Sequence, residues 1–117
     1  MNSTCIFCKI IQKSIPSKII QENEHVLVIQ DITPKAPIHY LILTKKHIID
    51  LAQTSDQDKE YLLQMMLMIR TLALGLPEKN RNFNVVSNNG KAAGQSVYHL
   101  HMHFLAGRNI YEGGLSL

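Results

Sequence analysis

Hydrophobic residues occur along the chain in short runs separated by polar breaks, with one longer stretch of helical spacing. Four runs rich in β-branched side chains predict strands, over residues 17–21, 25–30, 39–43 and 83–87. From residue 56 to 76 apolar side chains recur every three or four positions, which predicts one long helix with Ser55 as its N-cap and Asp58 in a capping box. Residues 5–12 predict a second, short helix.

A fifth strand is predicted by YHLHMHF, residues 98–104, in which histidines occupy every second position. Successive side chains of a strand point to opposite faces, so His99, His101 and His103 share one face. The leucine, methionine and phenylalanine of the other face can pack on a core, while the imidazoles line a single surface. Five short strands, one long and one short helix, and no βαβ alternation predict an α+β domain on an antiparallel sheet.

Length and composition limit the class of protein. With 117 residues, 45% of them hydrophobic, the chain is long enough for one globular domain. The formal charge of +3 comes without a basic run longer than Lys45–Lys46, which argues against nucleic acid and suits a small anionic ligand. No apolar run approaches the roughly 18 residues of a membrane helix, and the N-terminus lacks a signal-peptide pattern. We therefore expect a cytoplasmic protein with no membrane partner.

Three aligned imidazoles admit three interpretations. They can be a solvated strand face, or a three-histidine metal centre, although residues two apart on a strand lie roughly 7 Å apart at Cα and would fan out around one ion. The third interpretation is covalent catalysis, because imidazole is largely uncharged and nucleophilic near neutral pH. The Gly- and amide-rich loop at residues 88–96 favours the third, since such loops offer N–H groups to phosphate oxygens. Together they suggest attack on phosphorus.

The pattern His-x-His-x-His-x-x, with x hydrophobic, at residues 99–105 resembles the signature of the histidine triad (HIT) family of nucleotide hydrolases and transferases. Residues 94–98 (GQSVY) and the turn at residues 31–34 (DITP) resemble its Hint branch, the purine nucleoside phosphoramidases. The resemblance extends from Cys5 to Gly107. It implies a single HIT domain over residues 1–117, with a five-stranded antiparallel sheet that pairs across a two-fold axis into a ten-stranded homodimer.

The resemblance also implies the chemistry. His101 would attack the α-phosphorus of a nucleoside phosphoramidate, and water would release AMP or GMP from the nucleotidyl-histidine. His103 would contact the phosphate, Ser96 would hydrogen-bond near the leaving amine, and His39 would support the pocket. The family's dinucleoside polyphosphate hydrolases usually carry Gln and Thr where this chain has Asn88 and Ser96, which favours the phosphoramidase over that alternative. A nucleotide- or zinc-binding adaptor protein is the other alternative.

The nucleotide-binding residues implied by the resemblance surround these groups. Asp31 would bind the ribose hydroxyls, unless it only caps its turn, and Ile32 would lie against the nucleoside. The backbone of Gly94, Gln95 and Ser96 would hold phosphate oxygens, and Asn88, or its neighbour Asn89, would face the phosphate. Three apolar residues would wall the base or belong to the core: Phe7, Ile10 and Ile29. The tail after Arg108 lacks the Trp-containing ending of animal Hint proteins, which bears on the leaving group.

Cys5 and Cys8 stand three residues apart on the predicted short helix. In a reducing compartment they are expected to bind metal, to do redox work or to stay free rather than to form a disulfide. Alone they are half a zinc site or two small buried hydrophobes. The resemblance completes a structural Zn²⁺ site with His47 and His99, which leaves His101 and His103 free to react.

Overall fold

Two helices and five strands organise residues 2–117, the part of the chain that the computed structural model describes. The helices are α1 (Ile6–Ile11) and α2 (Lys59–Leu74). The strands are β1 (Ile19–Glu22), β2 (Val26–Gln30), β3 (Ile38–Thr44), β4 (Phe83–Val86) and β5 (His101–Ala106). Short 3-10 turns lie at Leu51–Gln53, Asp56–Asp58 and Lys91–Ala93. The predicted α+β class is confirmed.

The strands form one antiparallel sheet in the order β1-β2-β3-β5-β4. The last strand in sequence is therefore inserted between β3 and β4, and its histidines lie inside the sheet rather than at an edge. His103 pairs with Leu41 of β3 and His101 pairs with Leu43. His101 and His103 therefore lie on a strand that is hydrogen-bonded to a neighbouring strand on each side.

Each face of the sheet has its own apolar cluster, whereas the alternation in β5 predicted a core on one face only. On one face Met102 and Phe104 pack with Met65, Met68 and Leu72 of α2. On the other face α1 packs against β2 and β3 through a cluster of Phe7, Cys8, Ile10, Leu27, Ile29, Leu41 and Leu43. The histidines point toward this second face, so α1 covers them. The one long and one short helix thus have distinct positions, one on each side of the sheet.

The observed element boundaries differ from the predicted ones by up to three residues, and the exposure of the histidine face differs as well. The long helix begins at Lys59 because the capping box of Ser55 and Asp58 closes a 3-10 turn first, a common start for helices. His99 precedes β5, where Leu100 donates its N–H to the Ile48 carbonyl at 2.6 Å. The expected open histidine surface was wrong: His99, His101 and His103 are 0%, 7% and 6% exposed, because α1 and the C-terminal tail cover them.

The chain turns sharply after β5 at Gly107, whose φ is +100°. A Cβ atom there would lie 2.8 Å from Cγ of Pro37, so both the backbone angle and the close approach require glycine. Beyond it the C-terminal tail, residues 109–117, folds back so that Ile110 packs with Ala36 and Leu105. No helix within residues 2–117 is long and apolar enough to cross a membrane.

Candidate active site

A cavity of about 430 Å³ lies between α1, the turn at residues 31–37, the loop at residues 88–97 and the end of the tail. This volume is in the range of small-ligand sites. Ten of the residues predicted for catalysis or nucleotide binding line it: Phe7, Asp31, Ile32, His39, Asn88, Gly94, Gln95, Ser96, His101 and His103. Two further predicted residues do not. Ile10 and Ile29 are buried in the apolar cluster behind the cavity, 8% and 3% exposed.

The orientation of His101 is fixed by the backbone of His99. Its Nδ1 lies 2.6 Å from the His99 carbonyl oxygen, which can only accept a hydrogen bond, so Nδ1 carries the proton. The lone pair of the neutral ring is then on Nε2. Burial lowers the pKa of His101 below its usual value of 6.5, with the hydrogen bond to His99 opposing the shift. The ring is therefore neutral at physiological pH, and its free nitrogen has the electronic form of a nucleophile.

A second chain of hydrogen bonds fixes His103. Lys35 donates its backbone N–H to His39 Nδ1 at 3.0 Å, so His39 carries its proton on Nε2. That proton points to His103 Nδ1 at 2.9 Å, which leaves His103 with its own proton on Nε2. Burial, followed by the neighbouring His101 and His39, lowers the pKa of His103 to about 4. His103 is thus a neutral hydrogen-bond donor where His101 is a neutral acceptor.

Asp31 uses its two carboxylate oxygens differently. Oδ1 accepts the Thr33 N–H at 2.8 Å and so closes the turn. Oδ2 lies 3.5 Å from His39 Nε2, on the cavity side. Both roles considered for Asp31 are therefore compatible, because one oxygen shapes the turn while the other remains available. Beside it Ile32 is 93% exposed at the cavity rim, where an apolar side chain has no internal partner.

The structure distinguishes the two asparagines of the loop. Asn89 accepts the Leu51 N–H at 2.7 Å and donates to Ser87 Oγ at 2.9 Å, so its side chain holds the loop in place. Asn88 lines the cavity. The neighbouring Gln95 is also a scaffold residue, since its Nε2 donates to the Ile49 carbonyl at 2.7 Å and its Oε1 accepts from Gly90 at 2.8 Å.

The predicted backbone cradle is smaller than expected. Gly94 donates its N–H to the Lys91 carbonyl at 3.0 Å, and Gln95 donates to the Gly90 carbonyl at 3.1 Å. Both amides stabilise the 3-10 turn at Lys91–Ala93 and are not free for phosphate. The Ser96 N–H has no acceptor among residues 2–117. Ser96 therefore offers both its amide and its exposed hydroxyl to the cavity.

Six residues that line the cavity were missed by sequence reasoning: Thr33, Lys35, Leu41, Val97, Ser116 and Leu117. Lys35 and Thr33 line it from the turn that Asp31 begins, and the spacing in DITPK could have drawn attention to both. Ser116 and Leu117 reach it from the tail, for which the sequence gives no periodic or motif signal. Lys35 adds a cation to the rim, in keeping with an anionic ligand.

The second group predicted for chemistry lies on the other side of Phe7, whose ring meets both His99 and His101 edge-on at centroid distances of 5.9 and 5.0 Å. The metal-ligating atoms of Cys5, Cys8, His47 and His99 all lie within 4.8 Å of one another. His99 donates from Nε2 to the Thr44 carbonyl at 2.6 Å, so its Nδ1 lone pair faces the cysteines.

The separations in this cluster match tetrahedral zinc coordination. The Sγ–Nδ1 distances are 3.2 Å from Cys8 to His47 and 3.3 Å from Cys5 to His99, and the two imidazole Nδ1 atoms are 3.2 Å apart. Lone pairs at these distances converge on one point, and two thiolates with two imidazoles are a standard zinc donor set. The carbonyl that orients His99 is the usual outer partner of a ligating histidine. The residues present therefore fit Zn²⁺.

A second and larger cleft, about 640 Å³, is lined by residues 80–84 and 107–109 and by Tyr111. Its lining has no histidine, cysteine or carboxylate. The smaller cavity around His101 is therefore the candidate active site, since it alone of the two combines polar chemistry with buried, oriented imidazoles.

Comparison with known proteins agrees with this fold. The HIT domain family model matches residues 12–110. An uncharacterised HIT-like protein from Synechococcus elongatus is 37% identical over 112 residues, covering 94% of this chain and 96% of its own. Solved HIT family hydrolases from Clostridium thermocellum and Legionella pneumophila are each 38% identical, with TM-scores of 0.86 and 0.85. The first covers 94% of this chain and 96% of its own, the second 91% and 95%.

The chain therefore belongs to the HIT domain family. Its five-stranded antiparallel sheet with one long helix is the fold of the solved HIT family hydrolases.

Proposed function

We propose that this protein hydrolyses the P–N bond of purine nucleoside 5′-phosphoramidates, with His101 as the nucleophile. The observation that carries the proposal is the 2.6 Å hydrogen bond from His101 Nδ1 to the His99 carbonyl, which leaves the Nε2 lone pair free in a cavity lined by phosphate- and ribose-binding groups. An amine is a poor leaving group, so a covalent route that divides the displacement into two steps suits this substrate.

In the first step His101 Nε2 attacks the α-phosphorus and the P–N bond breaks. The amine departs with the bonding electron pair and takes up a proton, for which the Ser96 hydroxyl and the His103 N–H are the nearby donors in the cavity. In the second step water attacks the nucleotidyl-histidine, the P–N bond to His101 breaks in turn, and a proton from the water restores the group that protonated the amine. The products are the amine and a nucleoside monophosphate, AMP or GMP, and His101 returns to its neutral form.

Recognition of the nucleotide follows from the positions of the remaining groups. Oδ2 of Asp31 can accept from the hydroxyls of a ribose, and Ile32 and Phe7 offer apolar surface to the base. The phosphate would meet His103, the amide of Ser96 and the side chain of Asn88. Lys35 adds positive charge at the rim. Charged hydrogen bonds of this kind contribute about 1.5–3 kcal/mol each.

The proposal is tested by comparing turnover of adenosine 5′-phosphoramidate with that of diadenosine tetraphosphate. Release of the amine and AMP at a rate well above that of tetraphosphate cleavage would support the phosphoramidase. Faster cleavage of the tetraphosphate would instead identify a dinucleoside polyphosphate hydrolase. Binding of AMP without turnover of either compound would identify a nucleotide-binding adaptor. Trapping the nucleotide on His101 by acid quench of [α-³²P]-labelled substrate would locate the covalent bond.

We assign the cluster of Cys5, Cys8, His47 and His99 as a structural zinc site. When bound there, zinc would cross-link α1 to the segment that precedes β5 and supply no step of the hydrolysis. Both cysteines are free and buried, as expected for thiols in the reducing cytoplasm, where we place the protein. Burial, followed by the contact with Cys5, raises the pKa of the Cys8 thiol, so without an ion Cys8 would be protonated and unreactive.

We propose that the active form is a homodimer joined through β4. This edge strand exposes Phe83 and Val85, 39% and 38%, and α2 exposes Leu63 and Met66, each 49%. Unpaired apolar edges invite pairing with another strand. The other edge, β1, is protected by a bulge and by the two ion pairs of Glu22. Pairing of two β4 edges would give a ten-stranded sheet.

A further inference from the structure

Arg108 follows strand β5 and binds backbone carbonyls from two separate segments of the chain. Its Nε donates to the Lys35 carbonyl at 2.6 Å. Its terminal nitrogens donate to the carbonyls of Asn109 at 3.1 Å, Glu112 at 2.9 Å and Gly114 at 3.1 Å. A guanidinium has a planar fork of five N–H donors and can join several acceptors at once. Arg108 therefore joins the turn at residues 31–37 to the C-terminal tail.

The residue whose carbonyl Arg108 binds, Lys35, also orients His39 and, through it, His103. The Lys35 carbonyl accepts from Arg108, while the Lys35 N–H donates to His39 Nδ1 at 3.0 Å. His39 in turn donates to His103 at 2.9 Å. The position of this turn therefore determines, through two consecutive hydrogen bonds, which ring nitrogen of His103 carries the proton. Arg108 is the side chain that holds this turn from outside.

The tail that Arg108 holds closes the cavity from the other side. Ser116 and Leu117 line the cavity, and Leu115 and Leu117 pack against the apolar cluster to which Ala36 of the same turn belongs. Three of the four carbonyls that Arg108 binds belong to residues 109–114, the stretch that leads to Ser116. One side chain, Arg108, therefore fixes the position of the turn relative to the tail.

We propose that Arg108 is a positioning residue of the active site. Through Lys35 it determines which ring nitrogen of His39 and of His103 carries the proton, and it places the end of the tail over His101. The kinetic test of this proposal rests on the proposed function, whereas the tests of histidine tautomers and of tail release rest on geometry alone. Among residues 2–117 no acidic side chain forms an ion pair with Arg108, so its fork geometry rather than its charge carries the role. The side chain is exposed, so its hydrogen bonds contribute more to the relative position of the turn and the tail than to the overall stability of the fold.

The test compares Arg108→Gln and Arg108→Lys with Arg81→Gln, a matched exposed arginine whose single contact is a 3.4 Å bond to the Leu74 carbonyl. Lysine keeps the charge but cannot bridge the turn and the tail. We expect both Arg108 variants to lower kcat/KM by about 10- to 100-fold, the loss expected when catalytic geometry shifts by an ångström. The melting temperature of R108K should fall by less than about 5 °C.

Two measurements need no turnover. Ring ¹⁵N shifts of ligand-free protein at pH 7 should show His39 protonated on Nε2 in wild type and R81Q, and a mixture of tautomers in both Arg108 variants. Release of Leu117 and Ser116 by carboxypeptidase should become at least about tenfold faster in the Arg108 variants, as local opening becomes easier. If wild type fails to cleave phosphoramidates, these readouts still decide the role of Arg108.

If R108Q does not fold, the R108K variant alone tests the proposed role of Arg108. An R108K protein with wild-type tautomers, tail release and kinetics would overturn the proposal, because charge would then suffice. An R81Q protein with the same defects as the Arg108 variants would overturn it as well, since the effect would be one of surface charge.

Discussion

The carbonyl of His99 holds the ring of His101, with 2.6 Å between the carbonyl oxygen and Nδ1. The ring of His99 points away, to the cysteine cluster, so one residue serves two sites with different parts of its structure. The backbone therefore orients the proposed nucleophile, and a side-chain substitution of His99 would not remove this hydrogen bond directly.

His101→Asn should remove the nucleophile while leaving an amide donor for the His99 carbonyl. We expect kcat for adenosine 5′-phosphoramidate to fall by at least about 10³-fold, as for removal of other catalytic nucleophiles. The buried ring contacts Phe7, so His101→Ala would also leave a cavity and is the poorer test. Steady-state kinetics together with thermal unfolding separate the two effects. Turnover within about tenfold of wild type, roughly 1.4 kcal/mol in barrier, would exclude His101 as nucleophile.

Asp31→Asn should separate the turn from ribose binding. The amide oxygen can still accept from Thr33, while the charged oxygen on the cavity side is lost. AMP affinity should weaken by roughly 1–3 kcal/mol, and 2′-deoxy-AMP, which lacks one of the hydroxyls, should lose much less. Calorimetric titration of both nucleotides measures this. Equal losses on the two sugars would mean that Asp31 only shapes the turn.

Protein purified without chelator after growth with zinc should carry about one zinc per chain. Cys8→Ser and His47→Asn should each lower this content, because each removes one of four converging ligands. His25→Asn is the control, since His25 packs on Tyr61 and lies outside the cluster. Elemental analysis provides the measurement. Absence of zinc in wild type would leave Cys5 and Cys8 as small buried hydrophobes.

Stability of the chelator-treated protein should depend on His103 between pH 6.5 and 4. Burial lowers the pKa of His103 to about 4, whereas the unfolded chain has the usual value of about 6.5. The unfolded state therefore binds more protons in this window, and the free energy of unfolding falls as the pH falls, by at most about 2 kcal/mol at pH 5 from this group.

Urea unfolding at pH 7 and pH 5 checks this, with His103→Gln as the comparison. The loss between the two pH values should be smaller in the variant. Asp58 and Glu22 act in a different window: hydrogen bonds from Lys46 and from Lys45 lower their pKa values, so their contribution disappears below about pH 4. Identical pH profiles for wild type and variant would contradict the burial effect.

Wild type should sediment as a dimer of twice 13.3 kDa at micromolar concentration. Val85→Lys places a charge on the exposed β4 edge and should produce monomers. Ile19→Lys makes the same change on β1, at 41% exposure, and should leave the dimer intact. Analytical ultracentrifugation distinguishes them. Dissociation by the β1 variant alone would move the interface to the other edge.

Periodicity made the strands and the triad predictable. Alternation in YHLHMHF puts its apolar residues on the α2 core and its histidines on the other face, whichever element covers them. The burial of that face was not predictable, because it depends on where α1 and the tail dock, which no local pattern encodes. His99 lies before β5 because the partner of Leu100 is Ile48 in a loop, a tertiary contact.

The loop residues show a different limit. Composition indicated that residues 88–96 can bind an anion, but not that Gly94, Gln95 and Asn89 already use their hydrogen bonds within the fold. Lys35 and Ser116 are likewise placed by backbone turns. Polar groups of the same residue type therefore differ in whether they are free to bind a ligand, and only the folded chain distinguishes them.

The contact between Cys5 and His99 spans 94 residues of sequence. During synthesis Cys5 leaves the ribosome 94 residues before His99, the imidazole that completes the cluster. The cysteine–histidine cluster cannot form until that whole stretch has been made, and closing so long a loop makes folding slow relative to helical domains of this size. Acquisition of metal would then mark the end of folding, and a nascent chain would hold its two thiols unprotected until that moment.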